Sequence, residues 1–300
     1  MSPFAKAWPV LLLAASGAMA QLSPGSALPE ALKTIKPATG VCRRDEAPAA
    51  KTANQSTLEG PSPDLLCAIT PADLSALRGR ADATVVDVRG RAAHEAFHVG
   101  SALNMTVSEL RTKAVLRGKT LVLMGDGKAE RELYAACADL KSRGFKRVSV
   151  LRGGMPSWLS HGGAVEGRAP DLAQSVRLSS AELWGESQFE ANLVLVTDAQ
   201  EALHSRLPYS MRVRDESAAA IKSMIERRRK ELKNAPLAAV VLVASAAVPD
   251  EALKRTAQAI EPVPLLVYSE SSDTYMRQIA QLKASWVAQA RGPKRPGCGL

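Results

Sequence analysis

Six short apolar runs, each four to six residues long and rich in β-branched side chains, recur along this chain with room for a helix between them. The first three are Thr84-Val85-Val86-Asp87-Val88, Thr120-Leu121-Val122-Leu123-Met124 and Arg147-Val148-Ser149-Val150-Leu151. The second three are Leu193–Asp198, Ala239–Val243 and Leu265–Tyr268. Runs of this length with little polar alternation read as strands buried on both faces. The segments between them read as helices. Thr70 followed by Pro71 marks a helix start. Ser108–Leu116 reads as a short helix, and Ala129–Arg143 as a longer one stopped by Gly144. Such alternation specifies an α/β fold, a short parallel sheet flanked by helices.

The cadence runs twice. Leu178–Leu183 echoes Ile69–Leu74, and the later strands echo the earlier ones at an offset of about 110–120 residues. Repeats of domain size specify tandem domains rather than a solenoid. A length of 300 residues suits two. The expected layout is a lead segment at 21–66, a first domain at 67–168, a degenerate second copy at 169–289 and a basic tail at 290–300.

The first twenty residues carry one charge, Lys6, then the apolar stretch Val10–Ala15 and the ending Ala18-Met19-Ala20. This is the pattern of a cleaved secretory signal. It predicts a periplasmic or secreted chain starting at Gln21, with no stable membrane span. Losing Lys6 takes the formal net charge from +9 to +8. Export argues against a nucleic-acid partner for this basic chain. The charge run Glu226–Glu231 reads as the solvated face of a helix carrying Ile221, Met224 and Ile225 on its other side, with no interleaved aromatics.

Three stretches of the first unit resemble the rhodanese-like family. Val85–Arg89 resembles its Asp-Val-Arg strand end. His98-Val99-Gly100-Ser101-Ala102-Leu103-Asn104 resembles its Gly-His-Ile-Pro-Gly-Ala-x-Asn segment, with Phe97, Gly100 and Ser101 replacing Gly, Pro and Gly. Gly144–Trp158, with Gly153-Gly154 before Trp158, is similar to its closing strand, double glycine and tryptophan. The resemblance implies two tandem rhodanese-like domains, laid out as in thiosulfate or mercaptopyruvate sulfurtransferases. It assigns Asp87, Arg89, Gly153, Gly154 and Trp158 to the fold motif rather than to chemistry. In the family, a loop of inward N–H groups at a helix start cradles a persulfide-bearing Cys and an anionic substrate.

Here that loop departs from the pattern. Where the resemblance places the nucleophilic Cys, after Met124, this chain has Gly125. The loop continues Asp126-Gly127-Lys128-Ala129-Glu130-Arg131, one residue longer than the usual sulfurtransferase loop, with Arg131 where the family's loop Arg would stand. Asp126 and Glu130 suit a helix N-terminus and disfavour a bound anion. The second copy has Ala244 and Ser245 at the matching place, again without Cys. Gly125–Arg131 is therefore the expected binding surface for an anion or partner, with no catalytic residue.

The four cysteines are Cys42, Cys67, Cys137 and Cys298. Cys137 lies in mid-helix among alanines and reads as a small core residue. Four cysteines allow three fully paired patterns, and Cys298 has several conceivable mates. A Cys42–Cys67 bridge would tie the lead to the first domain, contributing roughly 3 kcal/mol. His94 and His98 have no evident third ligand, so no metal and no cofactor are expected. The resulting expectation is an exported, non-catalytic rhodanese-like protein that binds a partner protein of the cell envelope or a small anion. Two alternatives are carried: a sulfurtransferase or thiol-redox enzyme using a displaced Cys, and an envelope-assembly accessory linked through Cys298.

Overall fold

The computed structural model describes residues 61–291, except Ala247. The expected export signal, most of the lead with Cys42, and the tail with Cys298 lie outside them. Eleven strands are described in chain order: β1 (Ala68–Ile69), β2 (Ala83–Asp87), β3 (Phe97–His98), β4 (Leu103–Asn104), β5 (Thr120–Met124), β6 (Arg147–Leu151), β7 (Glu166–Gly167), β8 (Leu193–Thr197), β9 (Met211–Val213), β10 (Val240–Val243) and β11 (Leu265–Tyr268).

In the first half a five-stranded sheet runs in the order β1-β6-β5-β2-β4, with every pairing parallel. In the second half a parallel sheet runs β11-β10-β8-β9. A single parallel bridge from Arg177 to Val267 stands where β1 stands in the first sheet. The two sheets thus share one strand order and direction, as the repeated cadence predicts. β3 and β7 form a small antiparallel pair beside the first sheet.

Both sheets are covered on both faces, which explains the unalternating strands: every residue of β5, β8, β10 and β11 is buried. On one face of the first sheet Leu121, Leu123, Tyr134 and Val148 pack together; on the other, Val122, Met124, Leu151 and Trp158 do. Side chains of the second half, Phe189 and Ala238, join the first of these clusters.

Helix starts follow the capping logic of the sequence. Thr70 and Asp73 form a capping box before helix Pro71–Leu77, and Ser179 and Glu182 form one before helix Ser180–Ser187. The helix expected over Ser108–Leu116 is shorter, at Val107–Thr112, with a separate 3-10 turn at Ala114–Leu116. The charge run 226–231 lies on helix Ala218–Glu231, which buries Ile221 and Ile225. Among the described residues, no helix is long and apolar enough to cross a membrane.

One expectation is overturned at the edge of the first sheet. Cys67, just before β1, forms a disulfide with Cys137 of helix Glu130–Ser142, so the Cys42–Cys67 bridge does not stand, while Cys137 is the core residue expected. Pairing of β1 with β6, which packs against that helix, brings the two sulfurs together. Both cysteines are buried in the core.

Candidate functional site

β2 and β5 are neighbours, and the segments leaving their C-terminal ends define a cavity of about 500 Å³. Its lining includes Arg89, Phe97, Gly125, Lys128, Leu133 and Met155. Ligands of open parallel sheets sit characteristically at such strand ends. Gly125 begins the loop directly after β5. A β-carbon built on Gly125 would lie 2.9 Å from Leu133 Cδ1, so Leu133 leans over the place where a side chain at 125 would project.

The loop is pinned from below by the turn after β6. Gly153 and Gly154 adopt φ of +71° and +50°, a region that L side chains rarely enter. A β-carbon on Gly154 would lie 2.5 Å from the Gly125 carbonyl oxygen and 2.5 Å from the Gly127 nitrogen. The Met155 N–H donates to the Gly125 carbonyl at 2.9 Å. Close backbone approach thus requires glycine at 154, whereas a β-carbon on Gly153 would meet Pro264 Cγ and Ser157 Cβ at 2.8 Å.

A buried carboxyl joins the same two turns. Glu130 accepts from the Gly153 N–H at 2.6 Å and from the Tyr134 hydroxyl at 3.1 Å. Burial pushes its pKa up to about 8, with Glu186 of the second half adding to the rise. Glu186 is also buried, and burial raises its pKa as well. It accepts from the Ala129 N–H at 2.5 Å and from the Asn192 amide at 2.7 Å. Lys128 Nζ donates to Glu182 at 2.9 Å.

Residues 70–161 match the family model described as a rhodanese-like domain. The chain belongs to the rhodanese-like family. Among solved structures, it is similar to the rhodanese-like domain of an Anabaena sp. protein (26% identity, 34% of this chain and 83% of that one, TM-score 0.30). It is similar also to a protein from Bacillus halodurans (30%, 33% and 75%, TM-score 0.29). A thiosulfate sulfurtransferase from Pseudomonas aeruginosa spans more of the chain, at 18% identity, 70% of this chain and 42% of that one, TM-score 0.30. No curated protein matches.

In the rhodanese-like domain, Asp87 and Arg89 lock the end of β2. Arg89 donates to both Asp87 carboxylate oxygens, at 2.9 and 2.7 Å, and to the Phe97 carbonyl at 2.7 Å. His94 Nδ1 lies 2.9 Å from Asp87 Oδ2, and the Asn104 amide donates to the Asp87 and Arg89 carbonyls. Burial opposes the charge on Asp87, but the hydrogen bonds from Arg89 and His94 hold its pKa below the usual value. His98 lies on β3, outside the helix that carries His94, and the two rings stack with centroids 4.0 Å apart. Trp158 is buried and donates to the Ala164 carbonyl at 3.1 Å.

The loop itself differs from expectation at three places. Arg131 is exposed and has no hydrogen bond or ion pair among the described residues, so it completes no cradle. Helix Glu130–Ser142 begins one residue earlier, and a step of about 100° along it turns Arg131 outward once Glu130 points in. Glu130 is no solvated charge at a helix start. Lys128 and Ala129 line the cavity, but the Lys128 ammonium and the Ala129 N–H are already engaged by carboxylates of the second half; Asp126 stays exposed and caps the Lys128 N–H at 3.0 Å. Glu182, Glu186 and Leu133 carry no sequence signal for these contacts. A separate cavity of about 330 Å³, lined by Pro156, Leu172, Leu253 and Pro262 among others, lies between the halves.

Glu130 gives the fold a pH dependence of known sign. Its folded pKa is raised from the ordinary 4.5 to about 8. Below 4.5 both folded and unfolded chains bind the proton, and the group adds no slope. Between 4.5 and about 8 the unfolded chain has released it and the folded chain has not, so stability falls as pH rises. Each unit of such a shift corresponds to about 1.4 kcal/mol. Urea unfolding of Glu130→Gln is expected to show a gain over the parent that grows by several kcal/mol from pH 4.5 to pH 8. Parallel pH profiles for the two chains would refute this role of Glu130.

Proposed function

We propose that this chain is an exported, non-catalytic rhodanese-like protein, built of two copies of the fold, whose first-domain loop region binds a partner protein or a small anion. The observation that carries the reading is Gly125 at the start of the loop, with Leu133 Cδ1 2.9 Å from where its β-carbon would lie. A persulfide carrier needs a thiolate there, and neither hydroxyl nor thiol is present. Cys137, the nearest cysteine along the chain, is spent in a buried disulfide, which removes the support for a displaced nucleophile within the described residues. The open cavity around Arg89, Phe97 and Met155 keeps the shape of a binding site without the reactive atom.

The test is enzymatic. Purified mature chain incubated with thiosulfate and cyanide is expected to form no thiocyanate above background. Gly125→Cys combined with Leu133→Ala, which clears the position, supplies the thiol as a comparison. Thiocyanate formation by the parent chain, lost in Cys137→Ser or Cys298→Ser, would overturn the non-catalytic reading.

A further inference from the structure

Helix Ser180–Ser187 of the second half presents Glu182 and Glu186 one turn apart, on the same face. Both carboxylates land on consecutive residues of the first-half loop. Glu182 takes the Lys128 ammonium, whose side chain is 17% exposed, and Glu186 takes the Ala129 N–H. Ala129 is the N-cap of helix Glu130–Ser142, has φ of +51° and offers no capping side chain of its own. A helix start of this kind carries unsatisfied N–H groups and a positive dipole end, which together favour an anion. Here the anion is present and belongs to the chain.

We infer that Glu182 and Glu186 form an interdomain latch that occupies the anion position of the loop, so that an anion entering the loop must displace a carboxylate of the second half. The inference rests on the proposed anion-binding reading only for its ligand; the latch itself rests on the two contacts. Asn192 fixes Glu186 through its second oxygen at 2.7 Å, so the carboxylate is held in place rather than swept through solvent. Phe189, from the segment just after the same helix, stacks obliquely on Tyr134 at 6.4 Å and shields the joint.

The groups facing the latch make it proton-sensitive. Glu186 meets the Ala129 N–H and the Asn192 amide, with Glu132 and Asp126 as like charges from the first half. Glu130 meets Tyr134, the Gly153 N–H and Arg152, and feels Glu186 as a like charge. Withdrawal of Glu186 therefore relieves Glu130, lowers its proton affinity and couples opening of the joint to proton release.

The test uses the full mature chain, with thiosulfate as the probe, in calorimetric titration and thermal scanning. Glu182→Gln with Glu186→Ala is the opening variant. Glu182→Gln with Glu186→Gln keeps the shape if the first fails to fold, and Glu190→Gln, exposed on the same half, is the control. A charge-assisted hydrogen bond is removed, so thiosulfate affinity is expected to rise by about tenfold or more, and the single melting transition to separate into two. Separated melting without thiosulfate binding upholds the latch and removes the anion reading. Equal thiosulfate affinity in parent and variants, with one unchanged transition, overturns the latch; if that shared affinity is measurable, the anion reading survives it.

Discussion

Gly154→Ala is expected to remove on the order of 3–5 kcal/mol of stability, enough to unfold a marginal first domain at ambient temperature. Two effects combine. The backbone sits at φ of +50°, and the added methyl would meet the Gly125 carbonyl and Gly127 nitrogen at 2.5 Å. Neither partner is a flexible side-chain tip; both belong to the loop whose path defines the site. Gly162→Ala separates the two effects, because Gly162 has φ of +78° with nothing within 4 Å of its would-be methyl. It is expected to lose only about 1–2 kcal/mol. Equal losses for the two variants, measured by urea unfolding, would show that the close approach between the turns is not what requires glycine at 154.

The second large effect belongs to the disulfide. Cys67 and Cys137 are 70 residues apart, and the chain-entropy treatment assigns a loop of that length about 4 kcal/mol. Cys67→Ala with Cys137→Ala should lower the thermal midpoint accordingly, with an added loss from the two buried sulfurs' packing. The folded parent should resist mild reductant, because both cysteines are no more than 1% exposed. A double variant within about 1 kcal/mol of the parent would contradict a stabilising role for the bridge.

The six longer strands were legible because their residues agree locally and globally, whereas β1, β3, β4, β7 and β9, of two or three residues each, lie outside the apolar runs. β5, β6 and β11 run over the residues that the apolar runs mark, and Thr70 caps where expected, with Ser179 capping at the echoed position. What escaped was whatever depends on partners distant in the chain. Cys67 meets Cys137 only after β1 has paired with β6, some eighty residues on. Glu130 reads locally as a charge suited to a helix start, yet the turn at Gly153 and the second half together bury it. Arg131 matched the family's arginine by count alone, and one additional loop residue rotates it away. Glu186 had no local mark, since its partner is a backbone N–H 57 positions earlier.

The sheet edges carry a consequence for how this protein meets others. The outermost strands of the first sheet, β1 and β4, are two residues each, and β9 on the second is three. An edge that short offers too few free ladder groups to template a neighbouring chain. The residue before β1, Cys67, is moreover tethered to the adjacent helix, which holds β1 close to its place beside β6. At β1, β4 and β9 strand addition is therefore disfavoured as a route to aggregation or recognition, and contact there falls to side chains and loop backbone; β11, the other edge of the second sheet, is four residues long and is flanked by the bridge from Arg177.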